Sequence, residues 1–229
     1  MNKRQHGFTL IEIAIVLVII GLLLGGVLKG QELITGARVR NLISQQDGVK
    51  AAYFGFLDRF RALPGDYSSA TTTITGVVAG PCGVSASNNG NGNGQIELSG
   101  GTPATTSENI LAWEHLSKAG FINGTYTCAT TPSQATSPTN PYGQYLDLAY
   151  DNSYTGTPTA RHNLKTGGQV PSDILGEIDR KVDDGNPNAR SFRAMTTGGV
   201  ATTGCITAAA PFNWISQSPG TNCGGVSLF

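Results

Sequence analysis

Two residues near the start of the chain carry the clearest chemistry. Gly7 closes a polar stretch, Met1 to Gly7, that holds the basic pair Lys3 and Arg4. Glu12 is the only charged residue between Phe8 and Leu28. Those 21 residues are otherwise apolar or small, and roughly 20 such residues suffice to cross a bilayer as a helix. A carboxylate among lipid tails costs about 2.5–3.5 kcal/mol on insertion scales, so Glu12 at a helix start needs a partner. An ordinary secretory signal has its small-residue cleavage site after the apolar core, and here that order is reversed. A cut after Gly7 discards the polar leader, keeps the hydrophobic segment and makes Phe8 the new N-terminus. Lys3 and Arg4 hold the leader in the cytoplasm and send the C-terminal bulk across the membrane.

The run Gly7-Phe8-Thr9-Leu10-Ile11-Glu12, continued by Ile13 to Gly21, resembles the class III signal of type IV prepilins and type II secretion pseudopilins. The resemblance implies that a prepilin peptidase cuts after Gly7 and methylates Phe8. It also implies that Glu12 neutralises the terminal amine of a neighbouring subunit during assembly. The fold it implies is α+β and pilin-like. A long N-terminal α-helix, half membrane or filament core and half amphipathic, packs on a C-terminal antiparallel β-sheet domain with long loops. The expected organisation is a cleaved leader at 1–7, a helix at 8–63 with its membrane or core part at 8–28, and an exported head at 64–229.

The function this implies is that of a structural subunit of a type IV pilus-like filament, not an enzyme. A type II secretion pseudopilin or a minor, tip-located pilin is the alternative within the class. A membrane-tethered periplasmic enzyme or binding domain is the alternative outside it. Partners would be other copies of the chain, prepilin peptidase and the inner-membrane pilus or type II secretion machinery. The precursor would sit in the bacterial inner membrane with its head in the periplasm, and the assembled form would be a surface pilus or a periplasmic pseudopilus. One departure is that no proline precedes Pro64, although many pilins bend this segment with one. Gly21, Gly25, Gly26 and Gly30 stand there instead. At about 1 kcal/mol per glycine they either soften the helix or let it approach a neighbour closely.

The chain has 15 basic and 15 acidic residues, and loss of Lys3 and Arg4 leaves 13 against 15. That balance argues against nucleic-acid binding through charge. Removing seven residues from 229 leaves 222, enough for one helix and one sizeable domain. Its 31 glycines and abundant Thr, Ser and Asn point to a loop-rich, β-containing body. Cys82, Cys128, Cys205 and Cys223 all lie in the exported part, and an even number there favours disulfides. Three connectivities are open. Cys82–Cys128 with Cys205–Cys223 closes the most local loops, and the second pair also resembles the C-terminal disulfide-bounded region of type IV pilins.

Beyond Lys29 the pattern turns amphipathic. Leu33, Ala37, Leu42, Val49, Tyr53, Phe56, Phe60 and Leu63 recur at helical spacing, which predicts a helix from about Phe8 to Ala62, stopped by Leu63-Pro64-Gly65-Asp66. Tyr53, Phe54, Phe56 and Phe60 are expected to pack against a sheet. Residues 67–107 are expected to be surface loop with short strands. There Asn89, Asn91, Asn93, Gly94 and Ile96 imitate a calcium loop with asparagine for aspartate, but Gly100 stands where its closing glutamate belongs, so a turn cluster is the better expectation. Ser107 to Gly120 predicts a capped helix with Ile110, Trp113 and Leu116 buried. His115 and His162 are expected to be packed or surface residues.

The most charged exported segment is Ile174 to Arg193, where Asp179, Asp183 and Asp184 could gather at a helix end before the turn Gly185-Asn186-Pro187-Asn188. Closely spaced oxygen ligands suit calcium, and some type II pseudopilins carry a calcium site in their C-terminal loop. The competing expectation pairs these carboxylates with Arg180, Lys181 and Arg190. No other cofactor is expected.

Overall fold

A computed structural model describes residues 10–83, 87–98, 107–196 and 202–229. The chain divides into two compact units, Met1–Arg40 and Asn41–Phe229. Helix α1 spans Leu10–Phe60. In the first unit its large apolar side chains from Leu10 to Leu28 all face outward, and Leu33 is exposed as well. Among the described residues α1 is the helix long and apolar enough to cross a membrane.

In the second unit α1 buries Leu42, Gln46, Val49, Ala52, Tyr53 and Phe56. Steps of three and four place these residues on one helical face. The helix ends at Phe60, two residues short of the expected Ala62. Arg61 takes φ +54° while its amide still bonds to the Leu57 carbonyl at 2.9 Å. The chain then turns through Gly65, at φ +89°, where a Cβ would come within 2.3 Å of the Glu108 carbonyl oxygen. Glycine therefore sets how closely this turn approaches the next long helix.

That helix, α3 (Glu108–Lys118), follows the four-residue α2 (Ala70–Thr73). Ser107 occupies the N-cap position without a side-chain cap bond, and its carbonyl accepts from the amides of Ile110 and Leu111. The expected stripe of Ile110, Trp113 and Leu116 is buried, but so is every other residue from Glu108 to Leu116. The region expected as surface loop with short strands differs in the same direction. Its described part has no strand, and Ile74, Val77, Cys82, Asn88 and Ile96 are buried. Burial of apolar side chains dispersed among Gly, Asn and Thr draws the loop inward without any regular period to announce it.

The sheet comprises β1 (Asp147–Asp151), β2 (Arg161–Lys165), β3 (Phe192–Ala194) and β4 (Gly225–Leu228), in the order β1-β2-β4-β3 with every pair antiparallel. Helix α3 lies against β1, and α4 (Ser172–Val182) lies beside β3. One core joins Val49, Tyr53 and Phe56 of α1 to Trp113 and Leu116 of α3, Leu148 of β1 and Leu164 of β2. A smaller core holds Tyr154, Met195, Val226 and Leu228. The architecture is α+β and pilin-like, a long N-terminal helix packed on a small antiparallel sheet.

Candidate functional site

Gly7, Phe8 and the leader lie outside the described residues, as does Gly100. Glu12 stands in the first turn of α1 with its side chain exposed. Around it, fourteen large apolar side chains between Leu10 and Leu28 are 45–93% exposed. Full burial of such a side chain stabilises by about 1.5–3 kcal/mol, so on the order of 20 kcal/mol is left unrealised in the isolated chain. This exceeds the net stability of an ordinary domain, about 5–15 kcal/mol. The surface must be covered by lipid or by other chains, and the cost of Glu12 is small beside that drive. Gly21, Gly25, Gly26 and Gly30 do not interrupt α1, and a Cβ at any of them would meet nothing within 4 Å. Close approach to these glycines would have to come from outside the protomer.

The second unit is tied by disulfides Cys82–Cys128 and Cys205–Cys223, which span 46 and 18 residues. At the end of α4, carboxylate oxygens of Asp179, Asp183 and Asp184 lie within 4.8 Å of one another. Asp179 is fully buried, and it accepts from the Trp214 indole at 2.7 Å and the Gly185 amide at 3.3 Å. Burial raises its carboxyl to about 6, against the pull of those donors, and Asp183 and Asp184 add to the rise. Asp183 accepts from the amides of Ser191 and Phe192 and from the Ser191 hydroxyl. Burial pushes Asp183 up, but these bonds and Arg190 outweigh it and hold the group below the usual carboxylate range. Asp184 pairs with Arg190 at 2.7 Å. Lys181 instead bridges to Glu177 at 2.6 Å, which corrects the expectation that it serves this cluster.

The cluster ties the end of α4 to the start of β3 and to the Trp214 loop. Three carboxylates this close, one held ionised by its donors, could also hold a cation. Asp179 and Asp184 each commit both oxygens to protein donors, so a metal would share its ligands with the hydrogen bonds already formed.

Sequence spacing did not reveal two further groups of charges. Lys165 of β2, 2% exposed, reaches Asp147 at 3.2 Å and Asp151 at 2.5 Å on β1. Burial disfavours its charge, but the two carboxylates outweigh that and raise its pKa. The signal was present as two aspartates four apart, yet only the register Asp147↔Lys165 joins them to the lysine. The second group holds the asparagine-rich loop. Glu108 accepts from the amides of Asn91 at 2.9 Å and Glu97 at 3.1 Å, and Asp66 accepts from those of Asn93 at 3.0 Å and Gly94 at 2.8 Å. Burial raises both carboxyls, Glu108 to about 7. Asn91 and Asn93 close Asx turns onto Asn93 and Gln95. The loop's amides are spent on carboxylates, as a turn cluster requires.

His115 is fully buried between the Gly65 amide, which donates to Nδ1 at 3.0 Å, and the Asn88 carbonyl, 3.0 Å from Nε2. That pairing is the neutral imidazole protonated on Nε2. Burial depresses its pKa to about 4, opposed by the Asn88 bond. Both histidines of the second unit are thus packing groups, His162 also being depressed by burial.

The prokaryotic N-terminal methylation motif matches residues 2–28. No curated protein and no solved structure matches the chain. The motif covers the apolar start of α1, Glu12 included, and it implies processing by a prepilin peptidase and anchoring in a membrane. The N-terminal segment is therefore a class III signal of the type IV pilin and pseudopilin kind.

Proposed function

We propose that this chain is a structural subunit of a type IV pilus-like filament, assembled after a prepilin peptidase cuts after Gly7 and methylates Phe8. The observation that carries this is the methylation motif at 2–28 on a helix whose large apolar side chains from Leu10 to Leu28 are all turned outward. Residues 1–7 are the leader, 8–63 the helix with 8–28 as its membrane or filament-core part, and 64–229 the exported head. Before assembly the stem is covered by inner-membrane lipid and the head faces the periplasm. In the filament, stems of neighbouring copies cover one another and Glu12 compensates the amine of an adjacent Phe8. The role is structural, and the pairing of a carboxylate with an amine in an apolar bundle is its essential chemistry. A type II secretion pseudopilin or minor tip pilin has the same processing and the same stem.

Two measurements test this. Mass spectrometry of the mature protein should find an N-methylated Phe8 at its start, and any other first residue overturns the proposal. Glu12→Ala should abolish recovery of the chain in sheared surface filaments while membrane levels persist. Undiminished incorporation would leave the stem a mere anchor for a periplasmic domain.

Calcium at Asp179, Asp183 and Asp184 is a second, separate reading for the head, supported by the convergence of their oxygens within 4.8 Å. Titration calorimetry of the full chain in detergent tests it. Absent calcium heat, together with a melting temperature independent of calcium in both wild type and Asp183→Ala/Asp184→Ala, would remove it.

A further inference from the structure

Four Asn-Gly steps occur in the sequence, at Asn89-Gly90, Asn91-Gly92, Asn93-Gly94 and Asn123-Gly124. Each sets a side-chain carboxamide next to a backbone nitrogen that no side chain shields. Such a pair can close a five-membered succinimide ring when the glycine amide is free to turn onto the asparagine. That freedom differs between the four.

In the asparagine-rich loop all three glycine amides are held. Gly90 donates to the Tyr67 carbonyl at 3.0 Å, Gly92 to the Asp66 carbonyl at 3.0 Å and Gly94 to Asp66 Oδ2 at 2.8 Å. The asparagine side chains are held as well. Asn89 Oδ1 accepts from the Thr71 amide at 2.8 Å, and the Asn91 and Asn93 carboxamide nitrogens donate to Glu97 at 2.9 and 3.0 Å. Turning any of these carboxamides onto its glycine breaks such bonds and needs the loop to open. Asn123 and Gly124, just beyond α3, are both exposed. Among the described residues neither the Asn123 side chain nor the Gly124 amide has a hydrogen-bond partner.

We infer that Asn123 is a site of spontaneous deamidation, the one Asn-Gly step that the fold leaves open. The Gly124 nitrogen bonds to Asn123 Cγ, the Cγ–Nδ2 bond breaks, and the Gly124 amide proton departs with Nδ2 as ammonia. Water then opens the ring. Attack at Cγ gives aspartate, and attack at the former backbone carbonyl gives isoaspartate, whose main chain runs through Cγ. The net change is water for ammonia, with nothing oxidised or reduced. Either product adds a negative charge to the surface, and isoaspartate lengthens by one carbon a loop whose Ile122 and Tyr126 pack against the main core. Asn123-Gly124-Thr125 also fits the pattern of a glycan acceptor. That competing fate needs a transferase and an activated sugar, whereas deamidation needs only water. The modification is therefore independent of the filament role, and failure of either leaves the other standing.

The full chain in detergent is kept for several days in neutral buffer at physiological temperature and sampled by acidic protease digestion and mass spectrometry. Electron-transfer fragmentation separates aspartate from isoaspartate. The Asn123 peptide should gain the mass of NH2 replaced by OH, as a mixture of both products. The Asn89, Asn91 and Asn93 steps should convert at least about tenfold more slowly, because each waits on the breaking of two hydrogen bonds. In urea-unfolded protein all four should convert at similar rates. Asp66→Ala should raise the rate at Asn93 and leave that at Asn123 unchanged. If that variant does not fold, the comparison of folded with unfolded wild type still decides. An unchanged Asn123, a glycan on it, or equal rates at all four steps in the folded chain overturns the inference.

Discussion

The stem and the head distribute polarity in opposite ways. From Leu10 to Leu28 the apolar side chains point outward. In the second unit Glu108, His115 and Asp179 are fully buried and Lys165 nearly so. The head finds partners for these groups within itself, from the Trp214 indole to the amides of Asn91 and Glu97. The stem finds no cover within its own chain. One region is complete on its own, and the other is complete only in a membrane or among copies. Sensitivity to mutation should divide the same way, with head substitutions read in stability and stem substitutions read in assembly.

The sharpest contrast is between Trp113 and Leu22. Trp113→Ala removes the largest fully buried side chain and should destabilise the head by about 3–5 kcal/mol. Leu22, 74% exposed, should leave the head's thermal unfolding unchanged when made alanine. Unfolding of the full chain in detergent, followed by near-ultraviolet circular dichroism, compares the two. An equal loss for both would break the division between the regions.

Next in size are the disulfides. Loop-closure entropy gives about 4 kcal/mol for the 46-residue span of Cys82–Cys128 and about 3 kcal/mol for the 18-residue span of Cys205–Cys223. Paired serine substitutions measured by urea unfolding should rank in that order.

Within the Asp179 cluster the buried member should dominate. Asp179→Ala strands the Trp214 indole and should cost about 1–3 kcal/mol. Asp184→Ala breaks a partly exposed pair with Arg190 and should cost under about 1 kcal/mol. Chemical denaturation of the two variants distinguishes them, and a larger loss for Asp184 would mean the cluster's main work lies outside the protein's own contacts.

The smallest expected effect is in pH. Glu108 has a folded pKa raised to about 7, so its contribution is present below its ordinary value of 4.5 and lost as pH rises through 7. His115 runs the other way. Its folded pKa is depressed to about 4, so its contribution is present above 6.5 and lost as pH falls through 4. Between about 4.5 and 6.5 the two oppose each other. Glu108→Gln should remove the alkaline loss and uncover the acid one, shifting the melting temperature by a few degrees relative to wild type at each end. A profile identical to that of wild type would show that Glu108 carries no such proton.

Much of this division was legible in residue order. The apolar run from Phe8 with a single acid is a local, one-dimensional signal, and the helical recurrence of Leu42, Val49, Tyr53 and Phe56 follows from 3.6 residues per turn. Ile110, Trp113 and Leu116 were legible for the same reason. The inward folding of the asparagine-rich loop was not, because Ile74, Val77 and Ile96 recur at no period. The burial of Glu108 was not either, since a glutamate in the first turn of a helix ordinarily faces water. Nothing in residue order marks Lys165, because only antiparallel register sets it opposite Asp147.

Residue order alone therefore determined that the chain opens with a methylation-type signal, which stretch must be covered by something outside it, and that the four cysteines beyond that stretch would pair. These depend on composition and on periods of a few residues, which every chain displays before it folds. The tertiary structure alone decided which charges go inside, which strand faces which, and which of the four Asn-Gly steps is left open. Those depend on groups tens of residues apart arriving within about 3 Å, the reach of a hydrogen bond, and that proximity is created only by folding.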